Sequence, residues 1–157
     1  MAKKNGTQWL RLGGVLVTAI LTLGGLTACT SVMTMIHGGA TKPAESEFGL
    51  GPRTSASGLY TATLQPSETL KPRKLQSVRV ALTDAKGQAV DGAAITIDGG
   101  MPQHGHGLPT RPRVTKALGN GEYVIEGVRF NMGGWWELKL AIAGDAGTDT
   151  VTFNLAL

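Results

Sequence analysis

The chain has 157 residues, 15 of them Lys or Arg against 11 Asp or Glu, for a formal net charge of +4. Three of the cations, Lys3, Lys4 and Arg11, fall in one apolar N-terminal segment. Without them 12 basic residues face 11 acidic ones, and no basic stripe with interleaved aromatics argues for nucleic acid. A single cysteine excludes an internal disulfide, so the folded part must be held by its own core, and about 100 residues suffice for one such core and hardly for two.

Residues 1–28 begin with Lys3, Lys4 and Arg11 and continue into an apolar run from Leu12 to Leu26. The run is broken by Gly13, Gly14, Gly24 and Gly25 and is short of the ~20 apolar residues of a comfortable membrane span. Basic start, apolar middle and small residues before a cut are the layout of a secretory signal peptide. Leu26-Thr27-Ala28-Cys29 resembles the lipobox of bacterial lipoproteins. That resemblance implies cleavage before Cys29, with lipid on its sulfur and its new amino group. Several acyl chains hold a protein on a membrane where a single one does so only marginally. By the resemblance to Gram-negative lipoproteins, Thr30 in place of Asp implies the outer membrane, facing the periplasm; in a host with one membrane the same segment implies the outer leaflet. An uncleaved anchor helix with a free cysteine is the alternative.

Residues 29–57 read as a flexible tether, rich in small, polar, Pro and Gly residues. From residue 58 to 157 the texture changes to short β-like runs between turn signals. Leu59–Leu64 alternates weakly. Val78, Val80 and Leu82 share one face of the next run, with Ser77, Arg79 and Thr83 on the other. A turn at 84–87 follows, then Ala93, Ile95 and Ile97 alternating with Ala94, Thr96 and Asp98. Val114–Leu118 is a short strand, and Gly119-Asn120-Gly121 turns into 122–130. Trp136, Leu138, Leu140 and Ile142 face inward, with Trp135, Glu137 and Lys139 outward. A turn at 145–147 leads to Val151, Phe153 and Leu155 on the last apolar face. About seven strands without a helical period predict an all-β, immunoglobulin-like sandwich, with a small barrel as the alternative.

Two stretches break the strand grammar: Met101-Pro102-Gln103-His104-Gly105-His106-Gly107 and Phe130-Asn131-Met132-Gly133-Gly134-Trp135-Trp136. Together with Gly121 and Tyr123 they resemble the YtkA-like domain and the related FixH-type periplasmic domains, over roughly residues 58–157. The resemblance implies an exported, sandwich-like domain linked to copper or respiratory-oxidase biology. A lipid anchor in place of a retained membrane helix departs from the FixH arrangement.

Read by themselves, Met101, His104, His106 and Met132 are candidate metal ligands. Thioether and imidazole suit Cu(I), and imidazole suits Cu(II) and Zn(II). Glycines let the loop bend its donors together. Zinc fits less well, because its structural sites want four Cys or His ligands. Met33, Met35 and His37 form a second Met/His group in the tether. The plainer reading makes Gly-His-Gly a turn and the methionines core fillers. Catalysis has little support: Ser67 and Ser77 stand in no nucleophile motif, and Asp98 near His104 serves equally as an orienting carboxylate or a turn residue. The paired glycines at 99–100 and 133–134 suggest tight turns. The expectation is therefore a non-enzymatic, lipid-anchored envelope protein that binds copper as a chaperone or resistance accessory. The alternative is an interaction module that docks an envelope protein and holds no metal.

Overall fold

The computed structural model describes residues 40–157. The signal segment, Cys29, Met33, Met35 and His37 lie outside the described residues. A short 3-10 turn at Glu45–Glu47 precedes nine strands: β1 Arg53–Thr54, β2 Tyr60–Pro66, β3 Gln76–Asp84, β4 Ala94–Met101, β5 His106–Gly107, β6 Arg113–Gly119, β7 Glu122–Val128, β8 Trp135–Gly144 and β9 Gly147–Ala156. Seven of these are longer than two residues, which matches the number expected from alternation.

All strand pairs are antiparallel, in the order β1-β2-β3-β7-β6-β4-β8-β9, with β5 on β4. The link between β6 and β4 is the single pair Thr96↔Arg113. That weak joint divides the sheet into β2-β3-β7-β6 and β4-β8-β9, the two-sheet order of a constant-type immunoglobulin sandwich. On the other side β1 and β2 lie against β9, so the sandwich is nearly closed into a barrel.

The alternation in the sequence places the core. Tyr60, Ala62 and Leu64 of β2 and Val78, Val80 and Leu82 of β3 are buried, facing Trp136, Leu138, Leu140 and Ile142 of β8 and Val151, Phe153 and Leu155 of β9. The weak alternation at 59–64 conceals a fully buried face. Residues 40–157 belong to one compact unit. Its whole core cluster, with the residues packed against it, comes from residues 59–157, so this unit carries its own core and can fold alone.

The folded region begins earlier than residue 58. Residues 48–57, read from composition as the end of the tether, pair with the sheet. Arg53 and Thr54 pair with Ala62 and Thr61. Phe48 bridges Asn154 in parallel, and Ala56 donates to the carbonyl of Thr150. Asp149, only 6% exposed, clasps this segment: its carboxylate accepts from the backbone N–H groups of Ser57, Leu59 and Thr150. The Ser55 hydroxyl contributes most to holding its pKa down at about 2, with those N–H groups adding to it against the opposing effect of burial. Pro and Gly composition signals missed the segment because it is held by distant strands and not by its own periodicity.

Trp135 is the second difference. It lies on the outer side of β8, as alternation requires, yet is only 7% exposed. Its indole Nε1 donates to Oδ1 of Asn154 at 3.0 Å. Phe48 and Gly49 pair with the backbone of the same Asn154 along the other edge of β9.

Candidate functional site

The two irregular stretches sit at one end of the sandwich, where β4 ends and β8 begins. Gly99 and Gly100 are strand residues within β4, not a tight turn. A Cβ at Gly99 would collide with the carbonyl oxygen of Glu137 on β8, and one at Gly100 with that of His106 on β5. These glycines let three backbones approach closely.

Beyond them the chain makes a short hairpin. Met101 pairs with His106 and Gly100 with Gly107. The N–H groups of His104 and Gly105 both donate to the carbonyl of Met101, at 3.0 and 2.9 Å. Gly105 closes the turn at φ 65°, a left-handed conformation that favours glycine. Directly opposed residues of an antiparallel pair present their side chains to the same face, with Cβ atoms about 4.5–5.5 Å apart. Met101 and His106 are such a pair. The His104 and His106 rings are nearly parallel, 8° apart in plane, with centroids 6.1 Å apart. The rings are stacked, so their in-plane nitrogen lone pairs run parallel, and one ring must turn before two nitrogens stand about 2.0–2.1 Å from one ion. Both histidines are exposed.

The second stretch is pinned from two sides. Phe130 and Trp136 are fully buried and meet edge to face at 5.2 Å. The Trp136 Nε1 donates to the carbonyl of Met132 at 3.0 Å, which fixes the loop between them. Gly134 and Leu157 exchange both backbone hydrogen bonds, at 2.8 and 3.1 Å. Gly134 stands at φ 127°, and a Cβ there would lie 2.9 Å from the Cε of Met101. The Met101 thioether therefore fills the space a side chain at 134 would take, and the two loops touch through it.

The four candidate ligands are thus treated differently by the fold. Met101 is 2% exposed and packs into the core, while Met132 is 41% exposed. His104 and His106 stand in solvent on the hairpin. Asp98 lies within β4 and turns its carboxylate onto the N–H of Gly99 at 2.7 Å, so it is neither a turn residue nor a histidine contact. An open depression of about 340 Å³ lies beside the hairpin, lined among others by Asp98, Met101, His106, Glu137 and Lys139. Glu137 and Lys139 pair at 2.9 Å. Their place here follows from the register Gly100↔Glu137 and Asp98↔Lys139, a pairing that local spacing does not reveal. Among the described residues no three His, Cys, Asp or Glu side chains stand together as a metal cluster. A larger hollow of about 700 Å³, with Phe48, Leu50, Leu64, Leu70, Leu155 and Leu157 among its lining residues, is mainly apolar and holds neither histidine nor methionine.

A YtkA-like family model matches residues 54–141, more than half of the chain. The chain belongs to the YtkA-like family. None of the curated proteins compared matches it significantly. Among solved structures the ZirS C-terminal domain is similar at 16% identity and a TM-score of 0.38, covering 92% of this chain and 98% of that one. The YtkA-like match opens in β1 and runs into β8, so it takes in both loops and starts ahead of residue 58.

Proposed function

We propose that this YtkA-like protein is a lipid-anchored copper-binding protein of the cell envelope, acting as a chaperone or resistance accessory and catalysing no reaction. In this reading Met101, His104, His106 and Met132 supply the ligands and Cys29 carries the lipid. The supporting observation is the contact between the two loops: Met101 opposes His106 across the β4–β5 ladder and reaches Gly134, two residues from Met132. Two imidazoles and two thioethers form a donor set suited to Cu(I), with the imidazoles able to take Cu(II). The ion would be cargo held at the rim and passed to a partner.

The burial of Met101 favours a second reading. With its thioether packed against Gly134, the hairpin can be purely architectural and the domain an adaptor for an envelope protein. Titration of the domain 40–157 with Cu(I) and Cu(II) separates the two. The copper reading expects binding at micromolar concentrations, lost for both ions' histidine-dependent component in the double His104→Ala, His106→Ala variant. No binding of either ion by the folded domain would leave the adaptor reading. For the anchor, Cys29→Ala in the full chain should abolish lipid attachment and membrane retention. Unchanged processing and retention would refute that part.

A further inference from the structure

The strand directions sort the charges of the domain. One end holds the loop from β2 to β3, the start of β6 and the end of β7, as the pairs Gln76↔Val128 and Arg113↔Glu126 require. Lys71, Arg73, Lys74, Arg111, Arg113 and Arg129 all lie there and all are exposed. Among the described residues none of the six takes part in an ion pair; those found join Lys42 to Glu45, Arg79 to Glu122 and Lys139 to Glu137. The carboxylates at this end are Glu68 and Glu126, with Glu45 and Glu47 on its far side, where Phe48 shares a hollow with Glu68 and Leu70 and Glu45 pairs with Lys42. The opposite end, at the turns 84–87, 90–93 and 144–147, carries Asp84, Asp91 and Asp145 against Lys86. Residues 40–157, with 12 basic against 11 acidic residues, are therefore dipolar once folded.

The cationic end also exposes apolar side chains. Leu75 is 70% exposed, the largest value among the large hydrophobics, and Met132 is 41% exposed. Leu75, Arg111 and Arg113 border one depression of about 460 Å³. The N–H of Arg73 donates to the carbonyl of Phe130 at 2.7 Å, which ties the Leu75 loop to the loop bearing Met132. An apolar tip ringed by unpaired Lys and Arg is the arrangement that seats in a bilayer interface, with cations on headgroup phosphates and apolar groups at the acyl boundary. An acidic protein surface would use the cations and leave Leu75 without a role.

We infer that this end of the domain docks on an anionic membrane surface, through Leu75 and the cations Lys74, Arg111 and Arg113 around it. The inference does not depend on lipid at Cys29 or on copper. It orients the sandwich with the end bearing the irregular loops towards the bilayer.

The domain 40–157 can be sedimented with vesicles of phosphatidylcholine alone and with vesicles that also contain phosphatidylglycerol. Binding is expected on the anionic vesicles only, and is lost as salt rises from about 0.05 M to about 0.5 M and screening shortens. Reversing Lys74, Arg111 and Arg113 to Glu should weaken vesicle binding by at least about 100-fold. Leu75→Ala should weaken it by about ten-fold without changing the salt dependence. Lys86→Glu, at the opposite end, should leave binding unchanged. All of these positions are exposed, and an unaltered thermal melt shows that each variant is folded. Absence of binding to anionic vesicles, or equal binding by the charge-reversed variant, overturns the inference. Capture by immobilised polyglutamate with no vesicle binding overturns it in favour of an acidic protein partner.

Discussion

Replacing Trp136 by Ala tests the register on which the whole site depends. The side chain is fully buried between the sheets, meets Phe130 edge to face and ties the Met132 carbonyl through its indole N–H. A buried Trp→Ala change costs about 3–5 kcal/mol. The ring contact and the lost hydrogen bond place this one in the upper half, about 4–5 kcal/mol. Domains of this size are stable by only about 5–15 kcal/mol, so the change removes a large share of the total. The expected fall in melting temperature is about 15–20 °C. Trp135→Ala should cost less, about 2–3 kcal/mol, because Trp135 lies outside the central core cluster and its one hydrogen bond is to Asn154. Urea denaturation of the domain 40–157 gives both values. If Trp136→Ala does not fold, Trp136→Phe retains a ring and should cost about 1–2 kcal/mol. A loss under about 1 kcal/mol at 136, or a larger loss at 135, would mean that β8 is displaced by one residue and every side chain on it reversed.

Three further outcomes follow from other contacts. The pKa of Asp149 lies at about 2, below the ordinary 3.8; a lowered carboxylate pKa contributes stability above the ordinary value that is lost as pH falls through the lowered one. Thermal melts should therefore show wild type losing stability between about pH 4 and pH 2 more steeply than Asp149→Asn, and equal slopes would refute the clasp. Gly100→Ala puts a methyl group onto the His106 carbonyl; it should cost more than about 2 kcal/mol and deprotect the amides of the β4–β5 hairpin to hydrogen exchange, while normal protection would contradict the close approach. If the copper reading holds, Cu(II) affinity should drop sharply between neutral pH and about pH 5, because protons compete for imidazole nitrogen. Cu(I) binding should partly survive, because thioethers do not titrate; pH-independent binding of both ions would exclude histidine ligation.

Much of this fold is local physics and is legible in the order of the residues. Period-two alternation at 78–82, 136–142 and 151–155 marks buried faces because successive strand residues point to opposite sides, and each of those inward residues is buried. The turn signals between them, and the two stretches that interrupt strand grammar, are equally properties of neighbouring residues. What the tertiary structure alone decided concerns partners far apart in the chain. Residues 48–57 have no periodicity to announce them, and are held by β2, Asn154 and Asp149. Gly99 and Gly100 look like turn residues until β8 and β5 are seen pressing on their missing side chains. Trp135 obeys the alternation and is buried nonetheless, its indole N–H held by Asn154 of the neighbouring strand. Met101 and Met132 are equivalent by composition, yet packing against Gly134 buries one thioether and leaves the other in solvent. Six cations scattered between Lys71 and Arg129 become one face only when β2, β3, β6 and β7 align their ends, since charge sorting depends on strand order and strand order is set by non-local pairing.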